Sequence, residues 1–169
     1  MNYFELYEIP VSMKVDRGIL DKKYFELQRK YHPDFYSNAS EVEQAEMLER
    51  SSMVNKAYKT LQSQDDTIKY VLQLKGLLEE EEKYQLPPQF LMEMMELNEG
   101  LLDTDDSSIQ ETETKITQAE KHLYDEVQNI IEYYSDANTT NEQLLLVKEY
   151  YFKKKYLKRI TERLNQDQN

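Results

Sequence analysis

Apolar residues recur at helical spacing along the chain. After Asp16, whose carboxylate suits an N-cap, Leu20, Tyr24, Leu27 and Tyr31 fall within about 60° of one another at about 100° per residue. This predicts an amphipathic helix over roughly 17–31. It must end near His32, because Pro33 drives the preceding residue out of the α region and has no amide hydrogen to donate. A polar loop, Ser37 to Ser40, follows. Ser40 with Glu43 fits a capping box, and Met47, Ser51, Val54, Tyr58 and Leu61 form the stripe of a second helix. The two helices are expected to pack antiparallel across the loop. Ile68, Val71, Leu72 and Leu74 mark a shorter helix that stops at Gly76.

The acidic run Glu79 to Glu82 and the helix-starting pair Pro87-Pro88 separate this region from the rest. The expected organisation is a domain over 1–76, an acidic linker over 77–87 and a second domain over 88–169. Three helices are predicted downstream, at about 88–102, 107–134 and 141–164, with Ile109, Ile116, Leu123, Val127 and Ile130 on one face of the middle one. Three antiparallel helices with short turns make a bundle, so the fold class is all-α.

Composition agrees with helices and narrows the chemistry. Among 169 residues there are three Gly and four Pro, too few turn formers for a sheet protein. The absence of cysteine rules out disulfides, thiolate zinc sites, cysteine-held clusters and a cysteine nucleophile. The amino terminus lacks a basic segment followed by an apolar run, and no stretch of about 18 apolar residues occurs, so a soluble, cytoplasmic protein without a membrane partner is expected. Net charge is −12, and residues 77–132 alone carry 16 acids and 3 bases. That centre repels nucleic acid. The stretch from Lys148 to Arg163 reverses sign with seven bases against Glu149 and Glu162, which complements the dipole at a helix carboxyl end.

The sharpest feature is His32-Pro33-Asp34, in the turn between two amphipathic helices. By itself it is a rigid turn carrying one imidazole and one carboxylate, suited to docking on a basic partner site. A hydrolytic dyad would need a third group, and none is evident. The second histidine, His122, has no spacing to His32 that suggests a metal pair, and no glycine-rich phosphate loop exists. Lys22, Lys23, Arg29 and Lys30 lie away from the apolar stripe of the preceding helix and give residues 18–31 a charge of +2. On an acidic protein such a strip reads as a guide toward an acidic partner surface, with a solvated face as the plainer alternative.

The tripeptide in this setting resembles the J-domain family of chaperone partners. Asn2-Tyr3-Phe4 with Leu6, Gln28-Arg29-Lys30-Tyr31, and Asn55-Lys56-Ala57-Tyr58 with Leu61 are similar to J-domain positions. The segment Tyr70 to Gly76 and the block Phe90-Leu91-Met92-Glu93 through Glu96-Leu97 resemble the HscB-type co-chaperones of iron–sulfur cluster assembly. Two departures from the family pattern are Phe35, at a position often basic, and the pair Thr67-Ile68, usually Arg-Ala. The resemblance implies a co-chaperone that is not an enzyme, with no catalytic residue, metal or cofactor. Its partners would be a DnaK/HscA-type ATPase chaperone, bound by His32, Pro33, Asp34, Lys22, Lys23, Arg29 and Lys30, and an IscU-like iron–sulfur scaffold protein.

Periodicity exposes an anomaly on the helix that starts at Pro88. With Leu91 set at 0°, Leu97, Phe90, Leu101 and Met94 make an ordinary core stripe, yet apolar residues continue through Leu91, Leu102 and Met95 to Met92 over an arc of about 220°. Glu99, Asp103 and Glu96 border the excess. Adaptable methionines with a carboxylate edge suit a protein–protein site, while deeper burial would explain the arc equally. The family resemblance implies scaffold contact at Leu91, Met92, Met95, Glu96 and Glu99, with Asp103 on the same border. On the last helix Leu146, Tyr150, Leu157 and Ile160 are expected on the apolar side, with Tyr151 projecting among Lys148, Lys155, Lys158 and Glu162. The resemblance also implies a scaffold-contacting aromatic of this helix, either Tyr151 or Phe152. Two other readings stand beside this one: a J-domain protein serving a different client, and a nucleic-acid-binding bundle using the strip Lys153 to Arg163, against which the net charge argues.

Overall fold

The computed structural model describes residues 1–102 and 105–167. Its described residues form seven α-helices and one 3-10 turn: α1 (Tyr3–Tyr7), α2 (Arg17–Tyr31), the turn Pro33–Tyr36, α3 (Glu41–Leu61), α4 (Gln64–Leu74), α5 (Pro88–Leu101), α6 (Asp106–Glu132) and α7 (Asn141–Asp167). The all-α class is as expected. The chain divides into two compact units, one comprising Met1–Val71 with Ser135–Ala137, the other Leu72–Tyr134 with Asn138–Asn169.

In the first unit α2 and α3 form the antiparallel hairpin. Arg17 of α2 donates to Tyr58 of α3 and to its C-cap Gln62, Tyr24 stacks on Tyr58 at 4.1 Å, and the Arg50 guanidinium lies over the Tyr31 ring, so register falls on one helix as it rises on the other. The Asp16 carboxylate caps α2 by accepting from the Ile19 amide at 2.9 Å. Ser40 caps α3 through the Glu43 amide, but the return bond that would complete a capping box does not form. The buried row of α3 runs through Val54, Ala57 and Leu61, with Met47, Ser51 and Tyr58 half-buried beside it.

Periodicity could not disclose α1, which is five residues long and held by a reciprocal cap between Asn2 and Glu5. It buries Phe4 and Tyr7, and the Tyr7 hydroxyl donates to the Val54 carbonyl at 2.8 Å. Burial pushes the Tyr7 phenol far above its ordinary pKa, so it keeps the proton it donates to Val54. On α4, Ile68 and Val71 are buried whereas Leu74, assigned to the same stripe by spacing, is 41% exposed at the helix end. Gly76 takes φ of 69°, its amide donates to the Gln73 carbonyl and the Leu77 amide to that of Leu72. This is a Schellman stop, in which glycine supplies the left-handed residue.

In the second unit α6 and α7 form the main pair, and α5 packs on both. Ile116, Leu123, Val127 and Ile131 of α6 meet Leu144, Val147, Tyr150, Leu157 and Ile160 of α7 in the core. Two expectations are corrected. Ile131 is fully buried and Ile130 only half-buried; Leu146 is 53% exposed while Leu144 and Val147 are buried. Both errors fall in runs of consecutive apolar residues, where sequence gives no phase and packing chooses it. Phe90 and Met94 anchor α5. Near its end Gly100 approaches α6 so closely that a Cβ there would lie 2.7 Å from Thr112 Oγ1.

Candidate functional site

His32 ends α2 in an extended conformation, φ −63° and ψ 130°, as the following proline demands. Its Nδ1 accepts the Asp34 amide at 3.2 Å, capping the 3-10 turn. That bond leaves the proton of the neutral ring on Nε2. The Tyr36 hydroxyl donates to the Lys30 carbonyl at 2.6 Å, tying the far end of the turn back to α2. The turn is thus fixed by its own residues while the Asp34 carboxylate stays 89% exposed, 3.6 Å from Nδ1. Phe35 is 71% exposed and meets the His32 ring edge-on. The tip offers a carboxylate, an imidazole N–H and an apolar ring in one rigid turn.

The basic strip divides into two rows. Lys22 and Arg29 are exposed with no ion partner among the described residues. Lys23 instead reaches Glu8 at 3.5 Å, and Lys30 lies over the Tyr31 ring at 5.3 Å. Phe25 sits between Lys22 and Arg29 on the helix surface and is 63% exposed. Sequence reasoning passed over it, although an aromatic outside the apolar stripe was the available signal.

On α5 the surplus apolar arc is not buried. Met92 and Met95 are 64% and 60% exposed and Leu102 78%, whereas Phe90 and Met94 are buried and Leu91 is half-buried. Glu96 and Glu99 are exposed beside the methionines. Asp103 lies outside the described residues. Contiguous exposed apolar side chains edged by carboxylates form a surface that water wets poorly and a partner can cover.

The two aromatic candidates of α7 differ in surroundings. Both are half-buried and their rings meet at 80°, but Phe152 also stacks on Tyr84 of the acidic linker, 4.6 Å between centroids and 2° from parallel. The linker is fastened there a second time. Lys148 Nζ lies 2.7 Å from Glu82 Oε2 and over the Tyr84 ring, and both partners of the ion pair are largely covered. The hydrogen bond from Lys148 holds the Glu82 carboxyl below its ordinary range, and burial raises the Tyr84 phenol. Residues 82–84 therefore act as a strap along α7. The sequence hint was one aromatic just past an acidic run.

Among the described residues no three His, Asp or Glu side chains gather as a metal site, and no helix is long and apolar enough to cross a membrane. His122 is exposed and pairs with Glu126 on its own helix.

Comparison with known proteins bears on the chain as a whole. The family model described as the HSCB C-terminal oligomerisation domain matches residues 86–165. A co-chaperone protein HscB homolog of Photobacterium profundum is 33% identical over 146 residues, covering 86% of this chain and 80% of that one. The mouse iron-sulfur cluster co-chaperone protein HscB is 36% identical over 153 residues, 89% of this chain and 64% of the mouse one. The crystal structure of the human co-chaperone protein HscB superposes with a TM-score of 0.80 at 32% identity, covering 99% of this chain and 82% of that one.

Proposed function

We propose that this chain, which belongs to the HscB co-chaperone family, stimulates the ATPase of a DnaK/HscA-type chaperone through its hairpin tip and delivers an iron–sulfur cluster scaffold protein to it on the α5 face. Residues 1–76 act as the J-domain, 77–87 as the linker and 88–169 as the scaffold-binding bundle. The observation that carries the reading is the tip itself: His32, Pro33 and Asp34 are locked by internal hydrogen bonds, yet their polar groups are left for a partner.

The roles follow from the chemistry available. Asp34 supplies an exposed charge, which on docking finds a cation or amide donor of the chaperone. Its geometry is set beforehand, so little ordering entropy is lost on binding. Lys22 and Arg29 lengthen the reach of recognition, since unpaired surface cations steer an acidic partner over about a Debye length, ~8–10 Å. Met92 and Met95 provide apolar area for the scaffold, Leu91 and Phe152 extend it, and Glu96 and Glu99 set its polar rim. No bond is made or broken by the chain in this scheme; it changes the rate at which the chaperone hydrolyses ATP and which protein the chaperone meets.

A steady-state ATPase assay with the purified cognate chaperone, with and without apo scaffold, tests the proposal. The chain alone is expected to raise the rate and the scaffold to raise it further. Stimulation without any scaffold affinity would favour service to a different client.

A further inference from the structure

Beside the strap lies a groove of about 590 Å³, in the second unit, whose apolar wall is Leu91, Phe152 and Tyr156 and whose cations are Lys83, Lys155 and Arg159. Cations of the strap and of α7 differ in their partners. Lys148 is neutralised by Glu82 and Lys153 by Glu149. Lys83, Lys155 and Arg159 have neither a hydrogen-bond nor an ion partner among the described residues, and all three are exposed. In a chain of net charge −12, three unpaired cations around one concavity are out of keeping with the whole. The one acid on the groove wall, Glu82, is already engaged by Lys148.

We infer that this groove takes an acidic segment of the same scaffold protein, with a carboxylate seated between Lys155 and Arg159 and apolar side chains against Phe152 and Tyr156. The inference rests on the scaffold reading above and adds a direction to it. Leu91 belongs both to the groove and to the α5 arc, and from it the α5 surface runs through Met95 and Met92 to Glu99 and Glu96. The docking face therefore changes from cationic, through apolar, to acidic. A partner with acid at one end of its contact segment and base at the other fits in one orientation; the reversed one sets like charges together and is disfavoured. Tyr84 is a positioning residue in this arrangement, since its stacking fixes the Phe152 ring that walls the groove.

The test is titration calorimetry of the full chain with purified apo scaffold from the same organism at two salt concentrations. Lys155→Glu with Arg159→Glu should lower affinity at least tenfold at low salt and flatten its salt dependence. Met92→Ala with Met95→Ala should lower affinity and leave the salt dependence as in wild type. Should the reversed pair fold poorly by circular dichroism, Lys155→Gln with Arg159→Gln carries the same test with a smaller loss. Unchanged affinity and salt dependence in a folded cation variant, with binding still lost in the methionine variant, overturns the groove alone. No scaffold binding by the wild type overturns the scaffold reading and the groove's occupant with it. A labelled single-stranded oligonucleotide is the second probe. If it binds the wild type, is lost from the cation variant and leaves scaffold affinity untouched there, the groove is a nucleic-acid site and the inference fails.

Discussion

The hairpin tip and the α5–α7 face are built from different kinds of information. At the tip, residues 30–36 carry nearly everything: the extended His32 ahead of proline, the His32–Asp34 bond and the return bond from Tyr36 to Lys30. The other face is assembled from a linker and two helices, with Glu82, Tyr84, Leu91 and Phe152 meeting only when the second unit has folded. A self-contained site fails by losing its chemistry, an assembled one by losing its scaffolding. Substitutions at the tip should therefore leave the fold intact and remove function outright. Those at the bundle should be graded and need a stability control.

The largest expected effect tests the first half of this contrast. His32→Gln or Asp34→Asn should abolish stimulation of chaperone ATPase with helical circular dichroism unchanged, since both side chains are exposed. Retained stimulation in either variant would remove the tip from the mechanism. Next comes the bundle. Met92→Ala with Met95→Ala should cost on the order of 1–3 kcal/mol per anchor in scaffold binding, at least tenfold in affinity. The unfolding midpoint should hardly move, whereas buried methionines would lose about 2–5 kcal/mol of stability each. A large fall in the midpoint would show that the exposed arc is structural.

Smaller effects sharpen the comparison. Gly100→Ala should destabilise the second unit by about 1–3 kcal/mol despite the better helix propensity of alanine, because Thr112 Oγ1 is already held by the Ser108 carbonyl at 2.9 Å and has little room to give. Adding Thr112→Ala should restore most of that loss, a coupling visible in a double-mutant cycle of denaturant melts. Reversing Arg29 and Lys30 together should slow association with the chaperone severalfold and weaken its salt dependence, leaving scaffold binding unchanged in stopped-flow and calorimetric measurements.

The smallest effect is on the strap. Because the Glu82 carboxyl is lowered in the folded state by Lys148, its contribution is complete above the ordinary glutamate value and disappears as pH falls through the lowered one. The Glu82 amide, which donates to the Glu79 carbonyl, should show no pH-induced loss of exchange protection through neutrality, once corrected for intrinsic rates, and lose it only in acid. Glu82→Gln should remove that acid transition. If the transition persists, another group fastens the strap.

What was legible in the sequence follows the same division. The Asp16 cap and the Pro33 stop placed both ends of α2, because capping and proline sterics act within a few residues. Long helices such as α6 and α7 were found to within a few residues at either end. The wide apolar arc on α5 stood out by arithmetic alone, and the structure leaves Met92 and Met95 exposed. The stacking of Tyr84 on Phe152 was invisible, since it joins residues 68 positions apart without periodicity or local signature. Leu146 was misplaced within Leu144 to Val147, where four adjacent apolar residues fit any phase. Lys23 was assigned to a free strip, but Glu8 engages it from outside the helix.

Helix α5 is held near both ends. The Phe90 ring meets Tyr156 edge-on with Lys153 above it, and at the other end Gly100 lies against Thr112. A backbone clamped in this way has no swinging motion to surrender when the face is covered. The disorder lost on association is then confined to side-chain rotations, chiefly those of Met92 and Met95, at about 0.5–1.5 kcal/mol each. Long unbranched thioethers on a stiff rod combine two properties that usually oppose one another: the rod fixes where contact is made, while the thioethers adjust to the contour they meet. The face can thus be strict about position and tolerant about shape.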